Sequence, residues 1–94
     1  MEIKELGTPP YRVSNGYIRD LRAGREQFSP APDFLHALDI LRDISLHGEK
    51  KYPYIIDANN QKVVDLTTDN GMQLLNDFIA EFKKGNIHFE PLKP

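Results

Sequence analysis

A chain of 94 residues, 39% apolar and 28% charged, suits one folded domain and excludes a disordered or fibrous protein. With no cysteine it has neither disulfides nor thiolate chemistry, and no apolar run approaches the roughly 20 residues that span a membrane. A formal net charge of −2 argues neither for nor against nucleic acid, so the distribution of charge matters more than its sum.

Residues 1–10 are a charged lead ending in Thr8-Pro9-Pro10, which stops any helix at that point. The start, Met-Glu-Ile-Lys-Glu, has no apolar core, so no signal peptide is expected, and the missing cysteines fit a cytoplasmic protein. Ile3 and Leu6 suit either an edge strand or a partly ordered tail.

Over 11–20, Asn15-Gly16 stands between alternating residues, the strongest short-range cue for a hairpin. A two-residue type I′ register sets Val13 opposite Ile18 as a buried pair. It also sets Arg12 opposite Arg19, beside Tyr17. Like charges facing across a ladder are mildly destabilising, so either an acidic group or ligand covers them or the register differs. The competing reading starts a helix near Tyr17 and aligns Arg19, Arg22 and Arg25 along one side.

Gly24, Ser29, Pro30 and Pro32 make 22–32 a connector, and Ser29 or Asp33 can cap the helix that follows. In that helix Phe34, Ala37, Leu38, Leu41 and Ile44 form a buried stripe, with Asp39, Arg42 and Asp43 facing out. Gly48 is the expected stop, before a solvated Glu49-Lys50-Lys51 loop.

A second hairpin is expected over 54–66, closed by a two-residue loop at Asn59-Asn60 or a four-residue loop over 58–61. Either loop places Asp57 opposite Lys62 and Ile56 opposite Val63. Thr67, Thr68 and Asp69 then offer capping acceptors to a helix over 69–84. Its stripe is Met72, Leu75, Ile79 and Phe82, widened by Phe78, with Lys83 and Lys84 in the last turn and Gly85 as the left-handed stop. A short last strand alternates Ile87, Phe89 and Leu92 with His88 and Glu90 until Pro91 ends it. The expected class is α+β, an antiparallel sheet with two helices packed on one face, in the order β-β-α-β-β-α-β over a single domain.

The segment Tyr54-Ile-Ile-Asp-Ala through Val63-Val-Asp-Leu, with the capped helix behind it, resembles a pattern common among small accessory proteins of phages and mobile elements. The resemblance covers this hairpin and helix alone. It implies a bacterial or phage origin and assigns no functional residue.

Chemical motifs are absent: there is no dinucleotide or phosphate-binding glycine loop and no nucleophile elbow. Asp57, Asn59 and Gln61 have the opening spacing of a calcium loop, but Lys62 stands where its glycine belongs and Thr68 where its closing acid belongs. His36, His47 and His88 are too scattered for a metal motif; His36 and Asp39 suit a local pair, and His47 suits a helix end. No enzymatic activity and no cofactor are expected. The asymmetric feature is arginine: all five, Arg12, Arg19, Arg22, Arg25 and Arg42, lie in the first half. Arg12, Arg19, Arg22 and Arg25 are interleaved with Tyr11, Tyr17 and Phe28, a mixture that recurs at protein interfaces. The expected function is therefore a non-enzymatic interaction protein with a protein partner. Arg12 and Arg19 would carry specificity, and Tyr17, Arg22 and Arg25 would complete the patch. A free strand edge, on the last strand or the N-terminal hairpin, would serve docking or homodimer formation. The alternative is a nucleic-acid-binding module using the same patch, which Asp20 and Glu26 dilute.

Overall fold

A computed structural model of the chain describes residues 3–14, 28–47 and 53–87. Six elements follow in order: β1 (Tyr11–Ser14), β2 (Phe28–Ala31), α1 (Phe34–His47), β3 (Tyr54–Ile56), β4 (Lys62–Asp65) and α2 (Asp69–Lys83). The strands form one antiparallel sheet in the order β2-β1-β3-β4. Because β2 and β3 both run antiparallel to β1, they are parallel to each other, and parallel strands need a long crossover, here α1. Both helices occupy one side: α1 packs on β1, β2 and β3, and α2 packs on β4 and α1. The α+β class with an antiparallel sheet and both helices on one face is thus the fold. The first strand is at 11–14, and residues 3–10 form none.

Alternation on the strands and a helical stripe on α1 supply the core. Tyr11, Val13, Ala31, Ile55 and Val64 point from the sheet onto Phe34, Ala37, Leu38 and Leu41 of α1 and onto Leu75 and Phe78 of α2. Each large side chain withdrawn from water contributes roughly 1.5–3 kcal/mol. The rings of Tyr11 and Phe34 meet at 5.5 Å, tilted by 58°. Asp33 is the cap of α1: its Oδ1 accepts the His36 amide at 2.8 Å and contacts His36 Nδ1 at 2.7 Å. His36 thus pairs with Asp33, not with the expected Asp39. Asp39 instead lies 2.6 Å from Arg42, and both are half-buried where they were expected to face out.

In α2 the buried line is Gly71, Leu75, Phe78 and Glu81. Met72 and Phe82, expected at the centre of the stripe, stand at its exposed rim. The stripe is rotated because Gly71 touches β4, which fixes the helix by its first turn. Thr68 caps that turn, its hydroxyl accepting the Gly71 amide at 3.1 Å. Gly85 ends the helix at φ +80, with its amide bonded to the Phe82 carbonyl and the Asn86 amide to the Glu81 carbonyl, the paired bonds of a Schellman motif. Asn86 Nδ2 also donates to the buried Glu81 carboxylate at 2.7 Å, and this bond holds Glu81 below the usual carboxylate range.

Three expected pairings differ. Val13 faces Ser29 on one side and Ile55 on the other, so both its edges are occupied by β2 and β3; Ile18, its expected partner, lies outside the described residues. Residues 15–27, where the Asn15-Gly16 turn was expected, lie outside the described residues, as do 88–94, where most of the expected last strand falls. The supposed connector contains β2; Pro30 is tolerated there because, among the described residues, β2 is an edge strand with a ladder partner on one side only. In the second hairpin Ile55 faces Val64, but Ile56 faces Lys62, so Val63 is an extra residue in β4. Asp57 is paired instead with Gln61, its amide bonding the Gln61 carbonyl at 3.0 Å. A three-residue loop results, with Asn60 at φ 62.

Candidate interaction face

Strand alternation that sends Tyr11 and Val13 inward sends Arg12 and Ser14 to the side of the sheet opposite the helices. Directly paired residues share a face, so the register builds two rows there. One row is Pro30, Arg12, Ile56 and Lys62; the other is Phe28, Ser14, Tyr54 and Asp65. Ser14 is fully buried and small. Its size lets Phe28 and Tyr54 meet above it, edge to face, with centroids 6.5 Å apart.

The cations of the first row lean diagonally onto the rings of the second. The Arg12 guanidinium lies 5.3 Å from the centre of the Phe28 ring, and Lys62 Nζ lies 4.2 Å from that of Tyr54. Arg12 also donates from an Nη to Asn60 Oδ1, so the left-handed residue of the β3–β4 loop steadies a side chain on the neighbouring strand β1. The extra residue at Val63 has its own effect. Lys62 and Asp65 are three apart, which in a regular strand means opposite faces; the bulge returns them to one face, with Nζ 3.6 Å from Asp65 Oδ2. Asp65 is held below the usual carboxylate range by the Thr67 hydroxyl and amide, with Lys62 adding to the effect. The charge of Lys62 is thereby answered in part. Arg12 has no carboxylate partner among the described residues.

Of the residues expected in the binding patch, Arg12 is on this face, joined by Phe28, which is 39% exposed. Tyr17, Arg19, Arg22 and Arg25 lie outside the described residues. Tyr11 is core: it is fully buried, and its hydroxyl donates to the Leu6 carbonyl at 2.7 Å. Arg42 is in the other layer, its guanidinium 3.9 Å from the centre of the Phe82 ring. Sequence reasoning missed Tyr54, Asn60 and Lys62. Alternation about Ile55 would have placed Tyr54 outward, but only the neighbouring of β1 and β3 brings it to Phe28.

The Asp57 carboxylate, which begins the calcium-like spacing, is consumed internally by the amides of Thr8, Asn59 and Gln61. Among the described residues no three His, Asp or Glu side chains gather as metal ligands. Among the described residues, an open cleft of about 250 Å³ between β4 and the start of α2 borders the face at Lys62 and Asp65, and another of about 300 Å³ lies beside Glu5 and Asp33. No family model, no curated protein and no solved structure matches the chain.

Proposed function

We propose that this chain is a non-enzymatic interaction protein that binds another protein through the outer face of its sheet. One observation carries the reading: the face turned away from both helices bears Arg12, Phe28, Tyr54 and Lys62 as a contiguous set of cations on aromatic rings. Arginine and aromatic side chains dominate the energetics of protein interfaces. The edges of the described sheet suit docking less well than the face. β2 lacks an amide hydrogen at Pro30, and β4 carries the Val63 bulge, devices that blunt strand addition.

A nucleic-acid partner is less well supported, because base stacking needs free ring faces and here a cation already lies over Phe28 and over Tyr54. Among the described residues the face offers two cations and one carboxylate, a sparse footprint for a polyphosphate chain.

The test is affinity capture from a nuclease-treated lysate of the source cells, with three baits: the natural protein, Arg12→Ala with Phe28→Ala, and Gln73→Ala on the exposed side of α2. The expected result is a protein retained by the first and third baits and lost by the second. Equal capture by all three, or capture that disappears on nuclease treatment, refutes the reading.

A further inference from the structure

We infer that the partner presents an acidic segment to this face, with carboxylates on both sides of an apolar side chain. The inference rests on the reading above that the outer sheet face is the docking surface, and it adds the chemistry of what docks.

The register supplies the pattern. Arg12 and Lys62 sit on either side of Ile56 in one row, two strand spacings or roughly 10 Å apart at the backbone. Ile56, 9% exposed, is the apolar floor between two cations. Arg12 is the anchor. Its guanidinium is already oriented in the free protein by the Phe28 ring and by Asn60, so binding costs it little further rotamer freedom. Its charge meets no carboxylate among the described residues, while its planar fork retains donors suited to a two-point bond with one. Lys62, partly neutralised by Asp65, is the weaker second contact. A second copy of the chain fits less well as the occupant, because the carboxylate this face offers among the described residues, Asp65, is already engaged by Lys62 and Thr67.

The experiment uses the full chain labelled with ¹⁵N and a synthetic hexapeptide of alternating glutamate and leucine. A lysine–leucine hexapeptide is the charge-reversed control, and a thymidine decanucleotide is the polyphosphate control. Amide shifts concentrated at Arg12, Ile56 and Lys62 are expected with the acidic peptide alone. Arg12→Ala should weaken that binding about tenfold, the worth of one charged hydrogen-bond contact, and Arg12→Lys should restore only part of it. The inference is overturned if the acidic peptide leaves these amides unmoved, if the lysine peptide moves them equally, if the oligonucleotide binds more tightly, or if Arg12→Ala binds as well as the natural chain. Should Arg12→Ala fail to fold, Arg12→Lys and Lys62→Ala carry the same comparison. Face-dependent protein capture without any response to the acidic peptide would sink the acidic segment and leave the docking surface standing. Loss of both would remove the docking surface itself.

Discussion

Thr8 and Asp57 hold each other across the chain. The Thr8 amide donates to Asp57 Oδ2 at 3.2 Å, and the Thr8 carbonyl accepts the amide of Ala58 at 2.9 Å. The other oxygen of Asp57 accepts the amides of Asn59 and Gln61 at 2.9 and 3.0 Å. One carboxylate therefore closes the hairpin loop and fastens the N-terminal segment to it. Asp57→Ala leaves all three amides without that acceptor and should lower the melting temperature by roughly 5–10 °C. Amide exchange should rise first in residues 3–10. An unchanged melting temperature would show that the carboxylate is dispensable.

Acid should weaken the fold through the same group and others like it. Asp57 is held below its ordinary range by the amide of Gln61, with those of Thr8 and Asn59 acting against burial. Asp65 is lowered by Thr67 and Glu81 by Asn86. Burial alone would raise Asp33, but the amide and ring of His36 outweigh it and the result is again downward. A folded value below the unfolded one means that the unfolded chain binds more protons as pH falls. The stabilisation is thus complete above the unfolded value of about 4 and is lost as pH drops through the folded values. Urea midpoints should agree at pH 7 and 5 and decline steadily below about pH 4. Asp57→Asn should flatten that decline, and a wild-type midpoint constant from pH 5 to 2 would contradict it.

Tyr11 predicts a loss at the alkaline end. Burial, reinforced by Glu5, pushes its phenol up to about 12. Ionisation then favours the unfolded chain, so stability is intact below the ordinary tyrosine value of about 10 and falls as pH rises towards the folded one. Absorbance at 295 nm should show Tyr11 titrating late, together with unfolding. Tyr11→Phe should cost about 1 kcal/mol at neutral pH, where the bond to the Leu6 carbonyl is lost. It should also remove the late phase. If the late phase persists in Tyr11→Phe, another tyrosine is responsible.

Gly71 tests which of two opposing effects governs the start of α2. Glycine to alanine inside a helix ordinarily gains about 0.5–1 kcal/mol. Here an added Cβ would lie 2.0 Å from the Asp65 carbonyl oxygen, a backbone atom that cannot swing away. Steric exclusion should win, and Gly71→Ala should destabilise by about 2 kcal/mol or more as the helix lifts from β4. Chemical denaturation decides the sign directly. A neutral or stabilised variant would mean that α2 shifts freely on the sheet.

How far the fold was legible follows from which signals are local. The caps and stops of α2, Thr68 and Gly85, are set by neighbours in sequence and could be read directly. So could the buried faces of β1 and α1, since period 2 and period 3.6 are properties of the segment itself. The place of the turn at Asn59-Asn60 was legible, but its three-residue length and the bulge at Val63 were not. The loop's length depends on Asp57 bonding its own turn while Thr8 approaches from the N-terminal segment. β2 was hidden because Pro30 and Pro32 argue for a connector, and Pro30 inside a strand is accounted for by the edge position of β2 in the described sheet, which the segment itself does not reveal. The candidate site suffered most from this non-locality. Alternation alone gives Arg12 its outward direction, whereas Phe28, Tyr54 and Lys62 reach it through a strand order that no short segment encodes.

Arg42 and Phe82 give the clearest test of how the two helices hold together. The Arg42 guanidinium sits 3.9 Å from the ring centre, with its side chain 19% exposed and Asp39 at 2.6 Å fixing its orientation. Partial desolvation raises the worth of a cation on a ring, and the aliphatic stem adds buried area between α1 and α2. Arg42→Ala should therefore destabilise by about 1–2 kcal/mol. Arg42→Lys should recover part of this, since a compact ammonium keeps the charge but loses the flat stacking surface. Packing alone could produce the first effect, so the decisive measurement is a double-mutant cycle with Phe82→Leu. A coupling of about 0.5–1.5 kcal/mol between the two positions is expected if the cation acts through the ring. Strict additivity, within about 0.3 kcal/mol, would show instead that Arg42 stabilises α1 through Asp39 and its own stem, independently of α2.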